Sequence, residues 1–167
     1  MDYSIYIRPL LISDAENNLK WSIDPELWRL TGEMPGKYIS MDLEAAWLSY
    51  VLQNTTDKCF AICLNFPDHH IGNIELTNIS DEEARCNVLI GEKLFWGKGI
   101  AGKALSLVSD YAFSYLKLKR LYTKIYCENK PALSVFKNCG FIENGLAENN
   151  FIKLTLDLQD HQVKLSH

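Results

Sequence analysis

The order of predicted elements, β-α-α-β-β-β-α-β-α-β-β, indicates an α+β protein, with a mixed sheet and helices on its faces. Period-two alternation and helical periodicity interleave along the chain. The polar stretch NISDEEA between two of the strands is too short for a crossover, so those strands form an antiparallel hairpin. The strand–helix units do not recur as a regular βαβ series, which argues against a doubly wound parallel sheet.

Residues 3–8, YSIYIR, alternate and are rich in β-formers, and Pro9 ends the strand. Ser13 is placed to cap a helix, with Glu16 at the capping-box position. Asp24-Pro25 offers a second start, proline being suited to a first helical position. Residues 31–40 read as a loop. Residues 41–53 form a helix with Leu43, Ala46, Trp47 and Tyr50 on one apolar stripe. Strands follow near 58–64, 71–77 and 85–92. The helix over about 99–116 sets Ile100, Leu107, Val108, Tyr111, Ala112, Tyr115 and Leu116 on one face. A strand at 120–127 leads to a helix at 130–138, capped by Asn129 with Pro131 just inside. Strands near 141–144 and 151–158 complete the sheet, and the remainder, 158–167, reads as a frayed tail.

At 167 residues the chain is expected to be a single domain spanning 1–167. A hydrophobic content of 47% is ordinary for a globular protein. The formal net charge of -4 argues against nucleic acid as a partner, because phosphate contacts need clustered Lys and Arg. The five cysteines form no C-x-x-C pair, so neither a disulfide framework nor a metal site is expected. No basic n-region or long apolar run is present, so no membrane association is expected, and a cytoplasmic location is.

The stretch GKGIAGKA, residues 97–104, fits several phosphate-binding patterns. As a nucleoside-triphosphate loop it fails at Ala104, where a Ser or Thr hydroxyl would bind Mg²⁺. As a dinucleotide fingerprint it lacks the parallel βα units, and the nearest acid, Glu128, lies 26 residues past Gly102 instead of about 20. A plain turn would use fewer glycines, each of which costs backbone entropy.

Residues 128–141, ENKPALSVFKNCGF, bring Asn129, Ala132 and the Gly140-Phe141 pair into the N-x-x-A-x-x-x-Y-x-K-x-G-F pattern of the GNAT acetyltransferase superfamily. Together with FWGKGIAGKAL and the hairpin before it, the chain resembles that family over roughly 3–158. Its pattern is most similar to the branch of ribosomal-protein N-terminal and spermidine acetyltransferases. The resemblance implies a sheet of about seven mostly antiparallel strands, splayed between the fourth and fifth, and about four helices. It implies acetyl-CoA as the acetyl donor, with no metal.

On this resemblance the coenzyme is held by Trp96, Gly97, Lys98, Gly99, Ile100, Ala101 and Gly102, with backbone amides around its diphosphate. Lys103 would add charge. A backbone N–H among Leu89, Ile90 and Gly91 polarises the thioester; such donors are worth about 2.7–4 kcal/mol in other acyl-transfer sites. Asn129 and Phe136 complete the coenzyme site. Phe136 stands where the family often has a tyrosine, leaving the leaving thiolate to water, Ser134, Tyr126 or Cys127. Glu75 is the expected catalytic base, facing away from its apolar neighbours Ile74 and Leu76. Glu92 and Asp81 are weaker candidates.

The acceptor, a small-molecule or peptide amine, is expected near Trp21, Asp24, Glu26, Trp28, Arg29 and Glu33. Polyamines, protein N-termini and amino sugars all fit. Trp21 and Trp28, seven apart, also suit a core-facing stripe. A strand at the sheet edge near 151–158 could pair with a second subunit in a homodimer. The rival readings are a non-catalytic acyl-CoA-binding module, suggested by Phe136, and a nucleotide-binding oxidoreductase.

Overall fold

The computed structural model describes residues 3–32, 39–66, 68–146 and 148–165. Seven strands form one sheet in the order β1-β2-β3-β4-β5-β7-β6. They are β1 (Ile5–Pro9), β2 (Lys58–Asn65), β3 (Asp68–Thr77), β4 (Glu83–Ile90), β5 (Arg120–Tyr126), β6 (Ile142–Leu146) and β7 (Phe151–Asp157). All neighbours are antiparallel except β4 and β5. Helices α1 (Ala15–Ser22), α2 (Pro25–Arg29) and α3 (Met41–Gln53) precede β2. Helix α4 (Ile100–Asp110) follows β4, α5 (Lys130–Asn138) follows β5, and α6 (Leu158–Leu165) follows β7.

The parallel pair governs the architecture. β4 and β5 are matched only at Glu83–Arg120, Ala84–Leu121 and Arg85–Tyr122, and then separate. The expected splay is therefore present, and it opens toward the turn that leads into α4.

The main core lies between the sheet and α4. Ile74, Leu76, Ala84 and Cys86 from the strands meet Ile100, Ala104, Leu105 and Val108 from the helix, all essentially solvent-free. A smaller cluster, Leu10, Ala15, Leu48, Ala61 and Cys63, sits on the other face beneath α1 and α3. Gly72 permits close pairing of β3 with β4, since a Cβ there would stand 2.2 Å from the Leu89 carbonyl oxygen.

Several expectations need correction. Ser13 does not cap α1. Asp14 occupies that turn, its carboxylate accepting from the Leu11 amide and from both terminal nitrogens of Arg8, each at 2.8 Å. The stripe on α3 faces outward, with Leu43 56%, Trp47 41% and Tyr50 66% exposed, while Glu44 and Leu48 are buried. Apolar residues surround this helix on most sides, so their spacing defines no unique inner face. On α4 and its extension, Leu107 and Tyr115 are likewise exposed, and Ala104, Leu105 and Phe113 face the core. The helix ends in a π turn, with Leu116 N–H donating to the Tyr111 carbonyl, which rotates the later residues off the predicted face.

Residues 158–165 are helical, not frayed: His161 is buried, with Nε2 2.7 Å from Asp110 Oδ1. With this helix and the separate α2, there are six α-helices among the described residues where about four were expected. β7 is no edge strand, because it lies between β5 and β6. The hairpin-like return of β6 covers it, leaving β1 and β6 as the edges.

A buried polar network ties β1, α1 and β3 together. Arg8 clamps Asp14, and Asp14 Oδ1 lies 3.3 Å from His70 Nδ1. His70 Nε2 donates to the Gly72 carbonyl at 3.0 Å and to Asn73 Oδ1 at 2.9 Å. Burial pushes the imidazole below its ordinary range; the opposing pull of Asn73 and Asp14 is weaker. Burial would raise the Asp14 carboxyl, but Arg8 and the Leu11 amide together hold it below the usual carboxylate range.

These shifts act in separate pH windows. A neutral buried His70 contributes its full stability above its unfolded value of about 6.5, and the contribution fades as pH falls toward the lowered folded value. Asp14 contributes above about pH 4 and is lost below that. Thermal melting of the wild-type chain is therefore expected to fall between pH 7 and 5, and His70→Gln is expected to flatten that segment. An unchanged slope in the variant would assign it to other groups.

Candidate active site

A cleft of about 590 Å³ opens on the face opposite α4. Its floor is the cleft face of β3 and β4 and the gap beside β5, and its walls come from α1, α2, α3 and α5. Glu75, Leu89, Asn129 and Phe136, all predicted site residues, line it, as do Trp21 and Trp28.

Glu75 is half-buried on β3, and Ile74 and Leu76 beside it are fully buried on the core side. Strand alternation therefore turns its carboxylate into the cleft. Cys59, Glu75 and Asn87 are register partners, forming one row across β2, β3 and β4. Asn87 Nδ2 donates to Glu75 Oε1 at 3.0 Å, and the Cys59 thiol donates to Oε2 at 3.9 Å. Burial, followed by the charge of Glu75, pushes the Cys59 thiol up to about 12.

The weaker acid candidates are employed elsewhere. Glu92 accepts from Lys20 and from the Trp21 indole, and does not line the cleft. Asp81 is exposed in the β3–β4 turn, away from it. Trp21 is 2% exposed and packs edge-on against His70, so it belongs to the core as well as to the wall. Asp24 caps α2 through the Glu26 amide, and Lys93 pairs with both acids. Arg29 is exposed, and Glu33 lies outside the described residues.

The turn at 97–102 does not line the cleft; it stands at the open end of the splay, beyond β4. Gly97 and Gly99 adopt φ of 69° and 75°, conformations that L side chains resist, and a Cβ at either would meet nothing within 4 Å. α4 begins with no side-chain cap, leaving the amides of its first turn, Ile100 to Gly102, as donors. Open space, flexible glycines and unpaired amides together suit the diphosphate of acetyl-CoA. Lys98 is exposed. The Ile100 side chain is buried in the core, and Lys103 Nζ reaches the Tyr3 carbonyl. Trp96 fastens the turn to the sheet, its indole donating to the Ile90 carbonyl at 2.7 Å.

Among the three predicted polarising amides, β4 geometry distinguishes one. The Gly91 amide donates to the Ile71 carbonyl of the β3 side at 2.9 Å, and the β3–β4 register is unbroken. Amide direction alternates along a strand, so Leu89 points the same way and Ile90 points to the other edge. That edge faces the gap vacated by β5.

Asn129 caps α5 through the Ala132 amide and donates to the Leu30 carbonyl at 2.9 Å, joining α5 to the end of α2. Phe136 is 2% exposed and packs edge-on against Phe141. Of the side chains considered for the leaving thiolate, Tyr126 lines the cleft, whereas Ser134 lines a separate shallow hollow. Among the described residues no cluster of His, Cys, Asp or Glu is placed to hold a metal ion, and no helix is long and apolar enough to cross a membrane.

Several cleft residues have no counterpart in the sequence reading, among them Asn87, Lys124, Glu44 and Arg85. Glu44 of α3 is buried there, and burial raises its carboxyl against a weaker opposing pull from Asn18. Arg85 of β4 also lines the cleft.

The acetyltransferase (GNAT) domain family matches residues 4–142. The "Probable N-acetyltransferase YjcK" of Bacillus subtilis is 30% identical over 96% of this chain and 92% of its own length. A spermidine N(1)-acetyltransferase of Vibrio cholerae is 34% identical over 49% of each chain. The structure of the Vibrio cholerae spermidine N-acetyltransferase in complex with CoA and spermine superposes with a TM-score of 0.86. It covers 95% of this chain and 98% of its own at 21% identity, and so establishes the fold. The chain belongs to the GNAT acetyltransferase family, and it is an enzyme of the N-acetyltransferase type.

The raised Cys59 thiol makes a chemical prediction. At pH 8 almost no thiolate is present at a thiol pushed up to about 12. Mass-spectrometric mapping after iodoacetamide is expected to find Cys59 unmodified, with faster labelling in Glu75→Gln, which removes the neighbouring charge. Rapid wild-type labelling would refute the Cys59–Glu75 contact.

Proposed function

We propose that the chain transfers the acetyl group of acetyl-CoA directly to a primary amine, with Glu75 accepting the amine's proton. The observation that carries this reading is the Cys59–Glu75–Asn87 row, which holds a carboxylate at the cleft floor between two donors. The two donors fix the carboxylate's orientation toward the open cleft, where an amine can reach it. An ammonium group loses its proton near pH 10.4, so such a base is required at neutral pH.

Acetyl-CoA supplies the activated acetyl group. Gly97, Gly99 and the first-turn amides of α4 hold its diphosphate, aided by Lys98. The Ile90 amide donates to the thioester oxygen as charge develops there. Leu89, Asn129 and Phe136 line the path of the pantetheine arm. As the C–N bond forms and the C–S bond breaks, Tyr126 protonates the departing thiolate. The acceptor is a polyamine, a protein N-terminus, an amino sugar or a related small amine, approaching from the α1–α2 side. The 167 residues act as one catalytic domain in the cytoplasm. A homodimer would pair through β1 or β6, the edges of the sheet.

Two substitutions test the assignment. Glu75→Gln is expected to lower kcat by about 10²–10⁴-fold, the usual contribution of a general base, with calorimetric acetyl-CoA affinity unchanged. Retained turnover would remove Glu75 from the mechanism. Gly99→Val strains a left-handed backbone and obstructs the turn. It is expected to raise KM for acetyl-CoA about tenfold or more, equivalent to ~1.4 kcal/mol. An unchanged KM would move the coenzyme away from this turn.

A further inference from the structure

The chain has four arginines, and the structure places them differently. Arg8 is clamped on Asp14, Arg120 on Asp157, and Arg29 is exposed to water. Arg85 is half-buried and lines the cleft. Its Nε is fully buried without a hydrogen-bond partner, and it forms no ion pair among the described residues. A charged guanidinium nitrogen withdrawn from water is costly unless an anion or acceptor replaces its lost hydration.

Its location excludes the coenzyme diphosphate as that anion. Arg85 lies five residues before Ile90, about 16 Å along the strand at about 3.3 Å per residue, with the turn at Gly97 farther still. It instead shares the cleft face of β4 with Asn87 and Leu89. Asn87 is the register partner of Glu75, which makes Arg85 a diagonal neighbour of Glu75, about 7–8 Å apart between backbones. The two side chains do not pair, because the Glu75 carboxylate is engaged by Asn87 and Cys59. Lys124 of β5 lines the same side of the cleft as Arg85. Glu44 and Glu75 stand on the α3 and β3 side. The cleft lining thus carries two acids, Glu44 and Glu75, and two bases, Arg85 and Lys124.

We infer that Arg85 is a specificity-determining residue that binds an anionic group, carboxylate or phosphate, on the acceptor. The acceptor is then a zwitterion: its amine lies at Glu75 and its anion at Arg85. This rests on the assignment of Glu75 as the base in the reading above, and it narrows the acceptor to amino acids, acidic amino sugars or aminoalkyl phosphates. A purely cationic polyamine would place a positive charge against Arg85 and Lys124.

The test uses matched acceptors with and without the anion. They are amino acids against their carboxamides, amino-sugar phosphates against the free amino sugars, and spermidine as the polycation. Calorimetry on the CoA-saturated protein needs no turnover. At least one anionic amine is expected to bind about tenfold or more tightly than its neutral match, with Arg85→Gln erasing the difference. Arg85→Lys is expected to keep part of it, and the preferred anion separates carboxylate from phosphate. In turnover assays Arg85→Gln should raise KM for the anionic acceptor about tenfold more than for its neutral match. Spermidine binding tighter than every anionic amine would overturn the inference. So would equal loss across all acceptors with a shifted acidic limb of kcat/KM, which would make Arg85 a neighbour that tunes Glu75. Turnover of neutral amines that survives in Arg85→Gln but not in Glu75→Gln would show the acetyl-transfer reading standing even if the anion site falls.

Discussion

Everything that makes this sheet a site depends on β4 and β5 leaving each other after three paired residues. A parallel pair that continued to the strand ends would satisfy every backbone group and leave no room between the strands. Separation instead frees an edge of β4 within the body of the protein. Such an edge normally invites another strand. On the proposed reading, the helices on the cleft face and α4 on the other keep that role for the coenzyme's extended arm, whose amide groups would act as the missing strand.

The two faces of the sheet divide the work. One carries α4 and the larger core, and its rigidity fixes where the glycine turn begins. The other carries a smaller core under α1 and α3 and an open cleft. Alternation along β3 and β4 serves both at once. Ile74, Leu76, Cys86 and Val88 secure the helix side, while Glu75, Asn87, Arg85 and Leu89 are left for chemistry. Cross-strand register then assembles the row Cys59–Glu75–Asn87 from residues far apart in sequence.

Much of this was legible from local pattern. The hairpin, the strand–turn–helix at 97–102, the Asn129 cap and the orientation of Glu75 each follow from a period or a turn chemistry confined to a few residues. What escaped depended on distant partners. The inner face of α3 could not be read because apolar residues surround it, and the cleft, not the core, receives Trp47. The final helix is held by His161 meeting Asp110 across the fold. The place of β7 inside the sheet depends on β6 returning beyond it. Arg85 looks like an ordinary hairpin-strand arginine until the missing partner of its buried Nε becomes visible.

Trp21 would link the two halves of the proposed reaction. Its ring fills the space over Gly91, where a Cβ would stand 2.0 Å from the indole, and its nitrogen holds Glu92. On the proposed reading, the wall that meets the acceptor is thereby bolted to the residues that usher the chain into the turn for the donor. Drift in specificity on the first helix is consequently constrained: a smaller side chain there would enlarge the acceptor space and slacken the donor's seat in the same stroke.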